Sequence, residues 1–131
     1  MVLAGAASAQ RSSLEIPSDS AHILTARLFA GGVARSLEFD DETIDALRLT
    51  LTEICSEAIE RRSGGRIAIE MVADADRLRV AVTATGLLAG KTQSAAADAP
   101  HRRTLIEALA PDATFVEEQD RSIVTFTLSV F

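Results

Sequence analysis

The chain has 131 residues, about one domain's worth, and 47% of them are hydrophobic, enough for a single core. A formal charge of −6, with neither Trp nor Tyr, argues against nucleic acid and anionic membranes, which need a basic surface or stacking aromatics. One cysteine, Cys55, and two separated histidines, His22 and His101, exclude an internal disulfide and a Cys/His metal cluster, so a reducing, cytoplasmic setting fits best.

Residues 1–12 read as a disordered tail: the apolar run before Ala7-Ser8-Ala9 has no basic start and is too short to insert in a membrane. No other stretch approaches the ~18 consecutive apolar residues of a membrane-spanning helix. Residues 13–131 read as one domain. Leu14 and Ile16 alternate with polar neighbours up to Pro17, which predicts a short edge strand. Ser18-Asp19-Ser20 supplies caps for a helix from about Ala21 to Ser36, with Leu24, Leu28 and Ile23 facing inward and Gly31 and Gly32 weakening its second half.

The second helix is opened by Asp40-Asp41-Glu42 and closed by Ser63-Gly64-Gly65. Ile44, Leu47, Leu51, Ile54 and Ala58 recur every three or four residues and define its buried stripe. A second stripe of Ala46, Thr50, Glu53 and Glu57 runs beside it. Glu53 and Glu57 stand one turn apart, where like charges repel by about a few tenths of a kcal/mol. Either a group outside the helix recruits both carboxylates, or they are solvent-facing charges with Arg61, four residues beyond Glu57, as a partner. Cys55 beside the stripe reads as a small core residue.

Arg66 to Val72 and Arg77 to Thr83 both alternate, and the short link between them predicts a hairpin. Residues 86–100, rich in Gly, Ser and Ala, read as a long loop. A helix over Thr104 to Ala110 stops at Pro111, and Thr114 to Glu117 with Ile123 to Val130 form a last hairpin, with Val124, Phe126, Leu128 and Val130 on one face. His101-Arg102-Arg103 before that helix reads either as an anion site or as a solvated face. The element order predicts an α+β fold, a two-layer α/β sandwich whose mixed, mostly antiparallel sheet carries its helices on one face.

With its stripe of carboxylates on the second helix, this order resembles the anti-sigma-factor serine/threonine kinases of bacteria, members of the ATPase superfamily shared with histidine kinases and gyrase. The resemblance runs from about Leu14 to Val130 and is most specific in LRLTLTEICSEAI, similar to the family helix that carries Glu-x-x-x-Asn-Ala. It implies a histidine-kinase-like ATPase fold, with Glu53 as the general base that activates a hydroxyl or water. Glu57 then stands where the family has the asparagine that holds magnesium on ATP.

RLRVAVTATG is similar to the strand leading into Asp-x-Gly-x-Gly: Ala84 falls on the aspartate that recognises adenine, Gly86 keeps the first glycine, and Leu88 replaces the second. The family's Gly-x-Gly-Leu phosphate cradle falls on Pro100 and Arg102, and its final Gly-Thr is replaced by Arg121-Ser122. Arg27 aligns with the first-helix arginine that contacts sigma factor and antagonist, and its alternative is a plain surface charge. A rival motif, GLLAGKT, resembles a P-loop but has three residues between its glycines where four are needed to wrap a phosphate.

The resemblance therefore implies a regulator that binds a sigma factor, an anti-sigma antagonist or both, as a homodimer through the first strand and helix, with ATP binding and kinase activity weakened or lost. Gly86 and Glu57 would be remnants of a nucleotide site, and no cofactor is expected. Two alternatives stand beside it: an active ATP- and magnesium-dependent kinase, and a dimerisation module without a sigma partner.

Overall fold

The computed structural model describes residues 10–74, 76–88 and 102–129. The P-loop-like motif beyond Leu88, most of the expected loop, Pro100, His101 and Val130 lie outside the described residues.

Five strands form one sheet: β1 (Gln10–Pro17), β3 (Arg66–Asp74), β4 (Arg77–Thr85), β7 (Arg121–Ser129) and β6 (Thr114–Glu117), in the spatial order β1-β3-β4-β7-β6. Every pairing in it is antiparallel. The alternating sequence puts Ile67, Ile69 and Met71 of β3, and Val80, Val82 and Ala84 of β4, on one face. They pack with Ile44, Leu47, Leu51 and Ile54 into a single core. The helices that cover it are α1 (Ile23–Ser36), α2 (Asp41–Arg61) and α3, residues 102–109. The expected two-layer arrangement is therefore present.

Strand β1 starts earlier than expected. Gln10 to Ser13 pair with Ala73 to Glu70, and Arg11 reaches Glu70 at 2.6 Å, so residues 10–12 belong to the sheet and not to a tail. Polar residues on an edge strand carry no hydrophobic alternation, which is why the pattern missed them.

The inward face of α1 also differs. Leu24 and Leu28 are 60% and 62% exposed, while Ala26, Ala30, Gly31 and Ala34 are buried. Small residues let α1 lie close to α2: a Cβ on Gly31 would stand 2.7 Å from the Arg48 guanidinium. By contrast, α2 buries the predicted stripe, and its N-cap Asp40 accepts from the Thr43 amide at 2.8 Å.

Helix α2 ends at Arg61, before the predicted stop. Arg62 is extended and begins β2 (Arg62–Ser63), which pairs with β5 (Leu87–Leu88) in a separate small ribbon. Two glycines make this crossing possible. A Cβ on Gly65 would lie 1.8 Å from the Thr85 carbonyl oxygen, and Gly86 has φ +123°.

Candidate functional site

Glu53, Glu57 and Glu60 lie along the second half of α2, at helical spacing. They do not face bulk water alone. At the start of α3, Arg102 turns back onto α2, where its Nη1 donates to Glu53 Oε1 at 3.3 Å and its Nη2 and Nε donate to the two oxygens of Glu60 at 2.8 and 3.1 Å. Arg103 places Nη2 3.8 Å from Glu57 Oε1, with its guanidinium 4.1 Å from the centre of the Phe115 ring. Arginines from a distant helix thus recruit the repelling pair. The expected partner of Glu57, Arg61, instead bonds Glu117 Oε1 at 2.9 Å.

Glu57 is buried, and its Oε2 has no hydrogen-bond partner among the described residues. Burial pushes its carboxyl above the usual carboxylate range, against the pull of Arg103 and Arg61. With Ala58, Ala84, Ser122 and Val124 it lines a cavity of about 20 Å³. That volume holds one water molecule. Cys55, behind the same stripe, is a buried thiol that burial raises to about 12, an inert core group as expected.

Beyond the helix end lies a group that local patterns missed. Arg62 is buried, and every N–H of its guanidinium has an acceptor. Nε donates to Ser122 Oγ at 2.8 Å, and Nη1 donates to the carbonyls of Gly86 at 2.8 Å and Gln119 at 3.2 Å. Nη2 donates to Glu117 Oε2 at 2.5 Å and to the Glu118 carbonyl at 2.6 Å. Ser122 Oγ also donates to Glu117 Oε2. Burial would raise Glu117, but hydrogen bonds from Ser122 and Arg62, with the charges of Arg61 and Arg62, outweigh it and hold its carboxyl below the usual range. These contacts span 24 to 60 residues of sequence, so no local motif could announce them.

The sequence-predicted positions fall into two groups: Glu53 and Glu57 beside the arginines of α3, and Gly86 and Ser122 around Arg62, with Glu57, Ala84 and Ser122 lining the same small cavity. Gly86 presents its carbonyl to Arg62. Arg27 does not join them. It is exposed on α1 and has no ion-pair partner among the described residues. No group of three His, Cys, Asp or Glu among the described residues could hold a metal, and no described helix is long and apolar enough to cross a membrane.

Among solved structures, the chain is similar to the RsbU and RsbW domains of Rv1364c from Mycobacterium tuberculosis, with 16% identity and a TM-score of 0.68 over 92% of this chain. At that identity the likeness is one of fold, and this chain spans 32% of the length of that one. No curated protein matches the sequence. Residues 16–127 match the family model of the histidine kinase-like ATPase domain, nearly the whole described sheet and its helices, and the chain belongs to that family.

Proposed function

We propose that this chain is a cytoplasmic regulator of the anti-sigma type that holds a sigma factor or an anti-sigma antagonist without phosphorylating it. The supporting observation is that the chain's own Arg102 pairs with Glu53, the residue that the family resemblance makes the general base. Arg102, on a position where the family has a phosphate-cradling glycine, takes one oxygen of Glu53. An attacking hydroxyl would have to compete with the guanidinium for that oxygen or use the other one.

Two further residues support the loss of nucleotide binding. Ala84 offers adenine no side-chain acceptor where the family has an aspartate. Ser122 is already committed to Arg62 and Glu117. One observation favours the alternative of an active kinase: Oε2 of Glu57, the residue on the position of the family's magnesium ligand, is unpartnered among the described residues.

In this reading partner capture falls to α1. Leu24 and Leu28 form an exposed apolar pair, with Arg27 beside them, and β1 is an eight-residue edge strand with a neighbour on one side only. A homodimer across β1 and α1 would cover that edge and leave Arg27 at its border, where an acidic groove could take a bidentate contact.

Thermal unfolding with millimolar ATP and magnesium, together with pull-downs against sigma and antagonist proteins, tests the proposal. Nucleotide should leave the melting temperature unchanged. A ligand at a hundredfold excess over its Kd would add about 2.7 kcal/mol, and such a rise would restore the kinase reading. Arg27→Ala should weaken capture by about 1–3 kcal/mol with the fold intact, and Glu53→Ala should leave capture unchanged. The opposite ranking would overturn the proposal.

A further inference from the structure

Arg62 presents five donors to five acceptors drawn from three places: the β4–β5 turn at Gly86, the β6–β7 turn at Glu117, Glu118 and Gln119, and Ser122 on β7. Its side chain has no exposed surface. A charge removed from water is tolerated only where its geometry is excellent and every donor is satisfied. Here both conditions hold. Three of the acceptors are backbone carbonyls of turns, which would have to find other donors if Arg62 were absent.

A second observation concerns access. A cleft of about 760 Å³ opens beside this group, and two of its lining residues, Gly86 and Gln119, are the acceptors of Nη1. The guanidinium is buried in this cage of acceptors, while its partner Glu117 keeps 38% of its side chain exposed.

We infer that Ser122 Oγ, Glu117 and the three turn carbonyls form a binding site for a planar guanidinium cation, filled in this protein by its own Arg62 as a tethered ligand, and that the order of both turns depends on its being filled. The planar fork sets the class of occupant. A compact ammonium has three donors arranged as a tetrahedron and cannot meet five acceptors around a plane. The inference stands apart from any sigma or antagonist partner: it predicts that the sheet end needs no small molecule to be ordered, because the molecule is built in.

The test is chemical rescue. Arg62→Ala removes Cγ, Cδ and the guanidinium, the atoms that ethylguanidinium supplies. The variant should lose roughly 10 °C or more in melting temperature. Millimolar ethylguanidinium should recover part of that loss, ethylammonium should recover none, and neither should affect the wild-type protein. An unchanged melting temperature in the variant, or equal rescue by both cations, overturns the inference. If Arg62→Ala folds only with ethylguanidinium present, the inference stands. If it folds in neither condition, Arg62→Lys decides. That variant keeps the charge and the stem, so it should show faster amide hydrogen exchange at Gly86 and at residues 117–122, with the buried stripe of α2 unchanged. Wild-type exchange in that variant, or a rescuable fold that ethylguanidinium fails to restore, refutes the tethered-ligand role.

Discussion

Arg62 and Arg102 offer the same guanidinium to carboxylates on two sides of one region, and they differ in burial. Arg62 has no exposed side-chain surface and meets backbone carbonyls as well as Glu117. Arg102 keeps 21% of its side chain in water, against Glu53 and Glu60 at 17% and 38%. The comparison teaches that the number of ion pairs at a site says little about which of them the fold relies on. Water can replace much of what Arg102 does, whereas loss of Arg62 would leave three turn carbonyls to find other donors.

The comparison breaks most visibly at Glu117. Glu117→Ala removes the acceptor shared by Arg62 and Ser122 and the partner of Arg61 at once. Because the carboxylate is partly exposed, water will satisfy some of these donors, and the expected loss is about 2 kcal/mol in denaturant unfolding. The same carboxyl should mark the acid limb of the wild-type curve. Its folded value is depressed, so its contribution is complete above the ordinary carboxylate range and is lost as pH falls through the folded value. A loss within experimental error would show that the cage holds without its carboxylate.

Arg102→Ala sharpens the other side. It leaves Glu53, Glu57 and Glu60 in a row with Arg103 and Arg61 nearby, so the expected loss is about 1 kcal/mol or less. Raising the salt concentration should shrink it further, since partly exposed pairs are screened. The loss from Glu117→Ala should change much less with salt. If the two variants responded to salt alike, burial would not be what separates the two arginines.

The sequence was most legible where one residue type repeats with one period. Ile44, Leu47, Leu51 and Ile54 named the buried face of α2, and the alternation in β3 and β4 named their hairpin. It misled in α1 because hydrophobicity and burial part company there. The helix approaches α2 through Ala26, Ala30, Gly31 and Ala34, and its two leucines, larger than that gap allows, face outward. Of the site, the carboxylates at 53 and 57 were visible as an unexplained repulsion. The arginines that resolve it come from residues 102 and 103, and a contact across 49 residues leaves no trace in either segment. Arg62 was invisible for the same reason, although Ser122, its acceptor, stands where the resemblance puts the family's final Gly-Thr.

The smallest expected effect has the opposite sign and comes from Glu57, which lies between the two arginine sites without a full share in either. Arg103 is 3.8 Å from one of its oxygens, and the other is buried with no partner among the described residues. Burial raises its carboxyl, so between the ordinary glutamate value of about 4.3 and the folded value the native state holds the extra proton. Stability should therefore fall as pH rises through that window and stay lower above it. Glu57→Gln keeps the shape and removes the titration. It should match the wild-type protein in acid, where both side chains are neutral, and exceed it slightly at neutral pH, by an amount read from melting temperatures across the pH range. If the variant is instead weaker at neutral pH and the gap closes in acid, Arg103 and Arg61 outweigh burial, and Glu57 belongs with Glu117 as a carboxylate the fold uses in its charged form.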